Sequence, residues 1–259
     1  MQSTRSRLTK SRFANLKVRT PSQPRHTAHP RVEQAMRPTV SLALEQFHRG
    51  RHFVAPLGNR GAGYLAAKRL FDVCGAATLV VLFSPILLAA LAALLITTKG
   101  HPLFFQERVG FCGRRFRMIK FRSMRLDADK LQHQIANEKD GPIFKNRRDP
   151  RITRLGRLLR STSIDEMPQL FNVLAGSMSL VGPRPPVVRE VVQYEPWQRR
   201  RLAVQPGLTC LWQISGRSEV AFEQWVRMDL WYVRNQSFWT DLKLLARTPA
   251  SVVSGRGAY

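Results

Sequence analysis

Asp165 and Glu166 are adjacent carboxylates in the run Ser161-Thr162-Ser163-Ile164-Asp165-Glu166-Met167-Pro168-Gln169-Leu170, with Arg154, Arg157 and Arg160 before them and Arg184 after. A carboxylate can act as a nucleophile, a proton shuttle or a Mg²⁺ ligand. Nearby guanidinium groups keep it ionised and also bind phosphate oxygens. The same residues fit a structural role. Ser163 and Glu166 have the S-x-x-E spacing of a capping box, and acidic side chains suit the positive end of a helix. With Ser163 as N-cap, Pro168 falls past the first turn and removes a needed N–H. With Asp165 as N-cap it falls inside the first turn at little cost. Local geometry leaves both roles open.

Other segments must hold cations near this pair. Pro183 and Pro185 flank Arg184 and fix its backbone, so its guanidinium sits on a stiff loop. Residues 102–125 read as short strands and turns: Phe104 to Gly110, Arg114 to Met118, and Lys120 to Met124. The last two alternate basic and apolar side chains, which suits half-buried strands with a basic face. That face is either a solvated edge or a phosphate-binding surface. Residues 127–150 read as a helix and then a loop. Arg151 to Leu159 reads as a basic amphipathic helix of the kind that lies in a membrane interface. Leu170 to Leu174 continues a helix that Gly176 ends. Phe222, Trp225, Val226 and Asp229 share a helix, and Leu242, Leu244, Leu245 and Val252 form a second interfacial element. All five tryptophans lie in the last third of the chain, consistent with a headgroup-level surface or with a core.

The anchor for these elements is the run from Val73 to Thr98, which has no charged residue. One helix of that length crosses a bilayer. Ser84-Pro85 interrupts it near the middle, and both flanks are basic (Lys68 and Arg69 before, Lys99 and Arg108 after), which places both ends on the cytoplasmic side. A re-entrant hairpin over residues 73–98 satisfies both facts, with legs of about 16–20 Å. Residue physics alone also allows a kinked spanning helix and, less readily because the run is longer than such helices need, a buried soluble core helix.

Composition bounds the rest. The 259 residues carry a net charge of +25, which calls for an acidic partner. Residues 1–60 hold twelve Arg or Lys against Glu33 and Glu45, with recurrent prolines, and read as a disordered basic tail. Cys74, Cys112 and Cys210 are far apart, so neither a zinc site nor a disulfide framework is expected. There is no recognised nucleic-acid motif, and the acidic pair repels phosphate backbones, so no nucleic-acid partner is expected.

Several ordered motifs together resemble the bacterial sugar transferases, the small monotopic polyprenyl-phosphate phosphoglycosyl transferases of exopolysaccharide assembly. The matching runs begin with Lys68-Arg69-Leu70-Phe71-Asp72, Ser84-Pro85, Gln106 to Gly110, Lys120 to Met124 and Ser163 to Leu170. They continue with Leu180 to Pro185, Pro206 to Thr209, Leu211 to Gln213, Ser215 to Arg217 and Gly255 to Tyr259. The likeness covers about residues 65–259. Cys210 stands where the family usually has glycine, and the basic tail replaces the multi-spanning region of larger members.

The resemblance implies an α+β, mainly helical domain over residues 61–259. It would combine a re-entrant membrane hairpin, interfacial amphipathic helices and a small β element around an active site on the cytoplasmic face of the bacterial inner membrane. It implies that Asp165 attacks the β-phosphate of a UDP-sugar, releasing UMP, and that undecaprenyl phosphate then takes the sugar phosphate. Asp165 and Glu166 are the implied Mg²⁺ ligands, with Glu166 as metal partner or general base. Lys120, Arg122, Arg160 and Arg184 are implied phosphate-binding residues, with Pro183 and Pro185 shaping the nucleotide site. Asp229 matches an acidic family position without an assigned role. Inner-membrane lipid is an implied partner, and the resemblance leaves room for a homodimer. The rival expectation is a basic membrane adaptor without catalysis, which needs the arginines and the hairpin but not both carboxylates.

Overall fold

The computed structural model describes residues 61–138, 140–216 and 220–254. The expected basic tail over residues 1–60, Arg217 and the motif Gly255 to Tyr259 lie outside them.

Helix α1 (Ala62–Thr97) is 36 residues long and apolar enough to cross a membrane by length and composition. It stays helical through Ser84-Pro85, where the sequence predicts a break; a proline can bend a helix without ending it. Its buried positions fall in two groups. Lys68, Asp72 and Ala76 lie toward the start and Ala90 and Leu94 toward the end, each group spaced by four residues and so on one face. Between them Val81, Leu82 and Leu88 are well over half exposed. Lys99 and Gly100 then take positive φ, and the Gly100 N–H donates to the Leu95 carbonyl, turning the chain out of the helix.

Strands β1 (Leu103–Val109) and β2 (Arg115–Phe121) form an antiparallel hairpin, with Leu103 opposite Phe121 and Val109 opposite Arg115. The two alternating runs predicted around residue 119 are thus largely one strand. Helix α2 (Arg154–Ser161) starts at Thr153, whose hydroxyl accepts from the Gly156 N–H. It is shorter than the predicted Arg151 to Leu159 stripe. Arg151 lies before it, 4% exposed and bound to Asp149 through three hydrogen bonds from its guanidinium, so it belongs to no solvent-facing basic face. Among the described residues of the segment predicted as a helix and a loop, only Ala128–Leu131 is α-helical.

Neither predicted cap register forms at the carboxylates. Ser163 is left-handed (φ 58°) and caps nothing with its side chain; Ile164–Glu166 is a single 3₁₀ turn. Helix α3 (Gln169–Leu174) begins only after Pro168, where the missing N–H costs nothing. Gly176 follows with φ 83°, as predicted.

Strands β3 (Ser179–Val181) and β4 (Gly207–Thr209) pair in parallel. Their ends approach so closely that a Cβ on Gly207 would lie 2.0 Å from the Gly182 nitrogen, so only glycine fits. Helices α4 (Phe222–Asn235) and α5 (Phe238–Ser254) complete the domain. Trp212 and Trp225 are buried in a core cluster with Tyr194 and Phe222, whereas Trp231 and Trp239 are exposed. The tryptophan cluster thus divides between core and surface. Leu244 is likewise buried against the second cluster, while Leu242 is exposed. The architecture of the described residues is α+β and mainly helical, with two small sheets.

Candidate active site

The site is assembled by stitching short elements to one another. Asn172 on α3 accepts from the Ile119 N–H at 2.9 Å and donates to the Arg117 carbonyl at 2.8 Å. This locks α3 along β2 and sets Lys120 beside the turn that carries Asp165 and Glu166. Lys120 Nζ donates to Glu166 Oε1 at 2.9 Å. From the other side Arg184 donates to Oε1 at 2.7 Å and to Oε2 at 3.3 Å. Helix α2 sits against Ser123 at Gly156, where a Cβ would lie 1.9 Å from the Ser123 carbonyl oxygen. That contact lets Arg160 Nε donate to Ser123 Oγ at 3.0 Å.

The loop bearing Arg184 is stiff for a reason that extends the proline argument. Prolines have no N–H, so the polar groups left on Pro183-Arg184-Pro185-Pro186 are mainly carbonyls. Four in succession are taken. The Pro183 oxygen accepts from the Gly207 N–H at 3.0 Å and the Arg184 oxygen from Arg201 Nη2 at 3.0 Å. The Pro185 oxygen accepts from Arg108 Nη1 at 2.8 Å and the Pro186 oxygen from the Val109 N–H at 2.9 Å.

Asp165, Glu166, Lys120, Arg160 and Arg184 line one cavity of about 340 Å³. Arg122 and Pro185 line it too. Arg122 donates to the carbonyls of His101 (2.8 Å) and Leu103 (3.1 Å), so it also holds the end of the β1–β2 hairpin. Pro183 and Asp229 do not line this cavity. Asp229 is 1% exposed and pairs with Arg201 at 2.5 Å. It therefore reaches the site through Arg201 and the Arg184 carbonyl. Arg108 and Arg201 line the cavity without having been singled out for it in the sequence. Arg108 stands in a motif run that gave it no distinct role, and Arg201 is the last of three consecutive arginines, with no local signal that sets it apart.

The two carboxylates differ. Both are withdrawn from water, which raises a carboxyl pKa. For Glu166 the Arg184 and Lys120 charges and hydrogen bonds outweigh this and hold the carboxyl well below its ordinary range. For Asp165 burial and the neighbouring Glu166 charge prevail over Lys120, Arg160 and Arg184, and its pKa is pushed up to about 6. The Asp165 carboxylate accepts no hydrogen bond from any described residue. Desolvation lowers Lys120 to about 8, opposed by Glu166 and aided by Arg184. Desolvation and the Arg184 charge also lower Arg108, to about 10. The cavity is thus a crowd of cations that an entering polyanion would relieve, with one carboxylate clamped and one free.

The profile of the family described as Bacterial sugar transferase matches residues 63–255. The chain belongs to the bacterial sugar transferase family. It is 44% identical over 203 residues to the galactosyl transferase CpsE of Streptococcus agalactiae serotype III (strain NEM316), covering 75% of this chain and 44% of that protein. It is 40% identical over 213 residues to the undecaprenyl-phosphate galactose phosphotransferase of Salmonella typhimurium (strain LT2), covering 78% of this chain and 43% of the relative. It is 39% identical over 202 residues to the UDP-glucose:undecaprenyl-phosphate glucose-1-phosphate transferase of Caulobacter vibrioides (strain ATCC 19089), covering 74% and 72%. The chain therefore spans less than half the length of the first two of these relatives.

Proposed function

We propose that this chain transfers a sugar 1-phosphate from a UDP-sugar to undecaprenyl phosphate, yielding undecaprenyl diphosphate-sugar and UMP, at the cytoplasmic face of the bacterial inner membrane. The observation that carries the proposal is the asymmetry of the carboxylates in a cationic cavity. Glu166 is held by Lys120 and Arg184, while the Asp165 carboxylate is free of hydrogen bonds. The names of the relatives support the same reaction class.

A carboxylate oxygen of Asp165 attacks the β-phosphorus of the UDP-sugar. The bond from that phosphorus to the bridging oxygen breaks, UMP departs, and an acyl phosphate joins Asp165 to the sugar phosphate. An oxygen of undecaprenyl phosphate then attacks the same phosphorus and the acyl phosphate bond breaks, restoring the carboxylate. A carboxylate approaches a diphosphate only if the shared negative charge is neutralised. Lys120, Arg160 and Arg184 act on the Asp165 carboxylate and line the same cavity, with Arg108 a further cation in its wall. Glu166 keeps both cations in place before substrate arrives.

The family implies Mg²⁺, and the residues suit it. This ion uses one or two carboxylates, completing its shell with water and substrate phosphate, so it needs no acidic cage. No group of three or more His, Cys, Asp or Glu forms such a cage among the described residues. Asp165 is the better ligand, because both Glu166 oxygens are engaged by Lys120 and Arg184. Bound there, the ion would neutralise charge on the transferred phosphoryl group.

A re-entrant seat for α1 is part of the proposal. Its first half packs with Leu180 and Val173, and its second half with Phe121 and Leu159, all within one domain. A crossing helix would carry one end to the far side of the bilayer, beyond reach of that domain. The exposed side chains of its middle, Val81, Leu82, Ile86 and Leu88, are then the part immersed in lipid.

The test is UMP release from UDP-glucose, UDP-galactose and their N-acetyl forms, with full-length protein in nanodiscs, undecaprenyl phosphate and Mg²⁺. Wild type should release UMP from at least one sugar nucleotide, and Asp165→Asn and chelation should abolish it. Equal consumption by both proteins would remove Asp165 from the chemistry. Folded, membrane-bound wild type that turns over none of the four would leave the adaptor reading in its place.

A further inference from the structure

We propose that one turn of the apolar helix, Lys68 to Asp72, belongs to the catalytic apparatus: Arg69 and Asp72 are positioning residues that hold the carboxylate pair and Arg184 in register. The inference rests on the transferase reading for its kinetic consequence but not for its structural one.

Arg69 reaches α3. Its Nη1 donates to the Val173 carbonyl at 2.6 Å and its Nη2 to the Leu174 carbonyl at 2.7 Å. These are among the last carbonyls of the helix; the Val173 oxygen also accepts from the Gly176 N–H at 3.0 Å, and the guanidinium adds a two-pronged contact that fixes that end of α3. The other end of α3 follows directly from Asp165 and Glu166. Asp72, three residues further along α1, reaches β3. Its Oδ1 accepts from the Leu180 N–H at 3.1 Å and from Ser179 Oγ at 3.0 Å. Val181 and Gly182 then lead straight into Pro183 and Arg184. A single helical turn therefore grips both segments whose meeting point is the Arg184–Glu166 pair.

The turn is itself built to stay in place. Lys68 Nζ is buried, 2.7 Å from Asp241 Oδ2 and 3.6 Å from Asp72 Oδ2. Tyr232 donates to Asp241 Oδ1 at 2.7 Å, tying α4 to α5 at the same point. Buried charges cost free energy unless their geometry is well satisfied, and simple anchoring of an apolar helix to a domain needs only apolar contacts. Hydrogen bonds directed to named backbone atoms specify position, which burial alone does not. Catalysis is sensitive to such placement: a misalignment of about 1 Å can cost about 10²-fold in rate. The helix that the proposed function seats in lipid thus also completes the active site.

The experiment compares Asp72→Ala, Asp72→Asn and Arg69→Met in full-length protein in nanodiscs by two readouts. The first is amide hydrogen exchange over residues 179–184 and 169–175. Asp72→Ala should speed exchange in the first segment at least tenfold. Asp72→Asn keeps an acceptor oxygen for the Leu180 N–H and should stay within about threefold of wild type. Arg69→Met, at a half-exposed position that water can reach, should loosen the second segment. The second readout is steady-state UMP release per folded molecule. Asp72→Ala and Arg69→Met should lose about 10²-fold in kcat with KM for the sugar nucleotide within about threefold, and Asp72→Asn should recover most of the loss. The proposal is overturned if exchange in both segments is unchanged. It is equally overturned if kcat per folded molecule is unaltered, or if Asn at position 72 is as damaging as Ala. Wild type without turnover would defeat the transferase reading, and the exchange readout would still decide what the turn does.

Discussion

Replacing Asp165 by asparagine should abolish turnover and at the same time stabilise the protein, by an amount that depends on pH. Burial and Glu166 raise the Asp165 carboxyl from 3.8 to about 6. The folded state therefore holds its proton more tightly than the unfolded chain does. Stability contributed by this group is complete below the unfolded value, falls as pH rises, and stays low above the folded value. Two units at about 1.36 kcal/mol each put the cost at about 3 kcal/mol at pH 8 and about 1 kcal/mol at pH 4.5. An amide escapes that cost but remains a polar group away from water, which offsets about 1 kcal/mol. The variant should thus be more stable by about 2 kcal/mol at pH 8 and indistinguishable from wild type at pH 4.5. For a chain of this size the gain at pH 8 is about 4–8 °C in Tm. The assay is thermal unfolding in detergent micelles with a chelator present, followed by tryptophan fluorescence at both pH values. A variant no more stable than wild type at pH 8 would mean that the folded protein bears no such cost for the Asp165 charge. An equal gain at both pH values would mean that something other than the buried charge was removed.

The pH profile of kcat/KM should be bell-shaped, rising at or below about 6 as Asp165 ionises, because the Mg²⁺ that turnover requires favours the carboxylate, and falling through about 8 as Lys120 loses its proton. Lys120→Arg should remove the alkaline limb below pH 9, because a guanidinium stays charged there. Gly156→Ala should destabilise by about 3 kcal/mol or more, since a Cβ there meets the Ser123 carbonyl at 1.9 Å and α2 must move away; a Tm within 2 °C of wild type would contradict this. Asp229→Asn should cost about 3–5 kcal/mol by stranding buried Arg201, whereas the paired change Asp229→Leu with Arg201→Met should recover stability. The paired variant should still turn over poorly, because the Arg184 carbonyl has lost its donor.

Much of this site was legible in the sequence because its residues act where they stand. Prolines at 183 and 185 announce a stiff loop wherever they occur, and alternating basic and apolar residues up to Lys120 announce a strand with a cationic face. The cap reading of Ser163 did not carry over, because it depended on a choice among backbone conformations. Ser163 adopts a left-handed φ, and the chain reserves regular helix until Pro168 has passed. Asp229 stands out in the sequence as an acidic residue on an expected helix, yet its partner lies 28 positions away in a basic run whose three arginines look alike. Arg199 donates to the Tyr194 carbonyl, and Arg201 enters the core between Asp229, Tyr194 and the Arg184 carbonyl. Pairings of that range are fixed by tertiary packing, which no local pattern encodes.

The same distinction explains why the two carboxylates of one dipeptide part company. A pair of adjacent acidic residues in water would titrate almost alike. Here the 3₁₀ turn points Glu166 between a strand lysine and a loop arginine, each fixed by hydrogen bonds that have nothing to do with chemistry: Asn172 on the β2 backbone, and four donors on the proline loop. Asp165, one residue earlier, receives the burial without the hydrogen bonds. The difference between them thus arises from the backbone rather than from the residue types. The backbone elements concerned, α3 and β3, are in turn gripped by Arg69 and Asp72 on the apolar helix. The apolar helix and the segments that line the cavity are therefore separate in sequence pattern only, since Arg69 and Asp72 join them by hydrogen bonds.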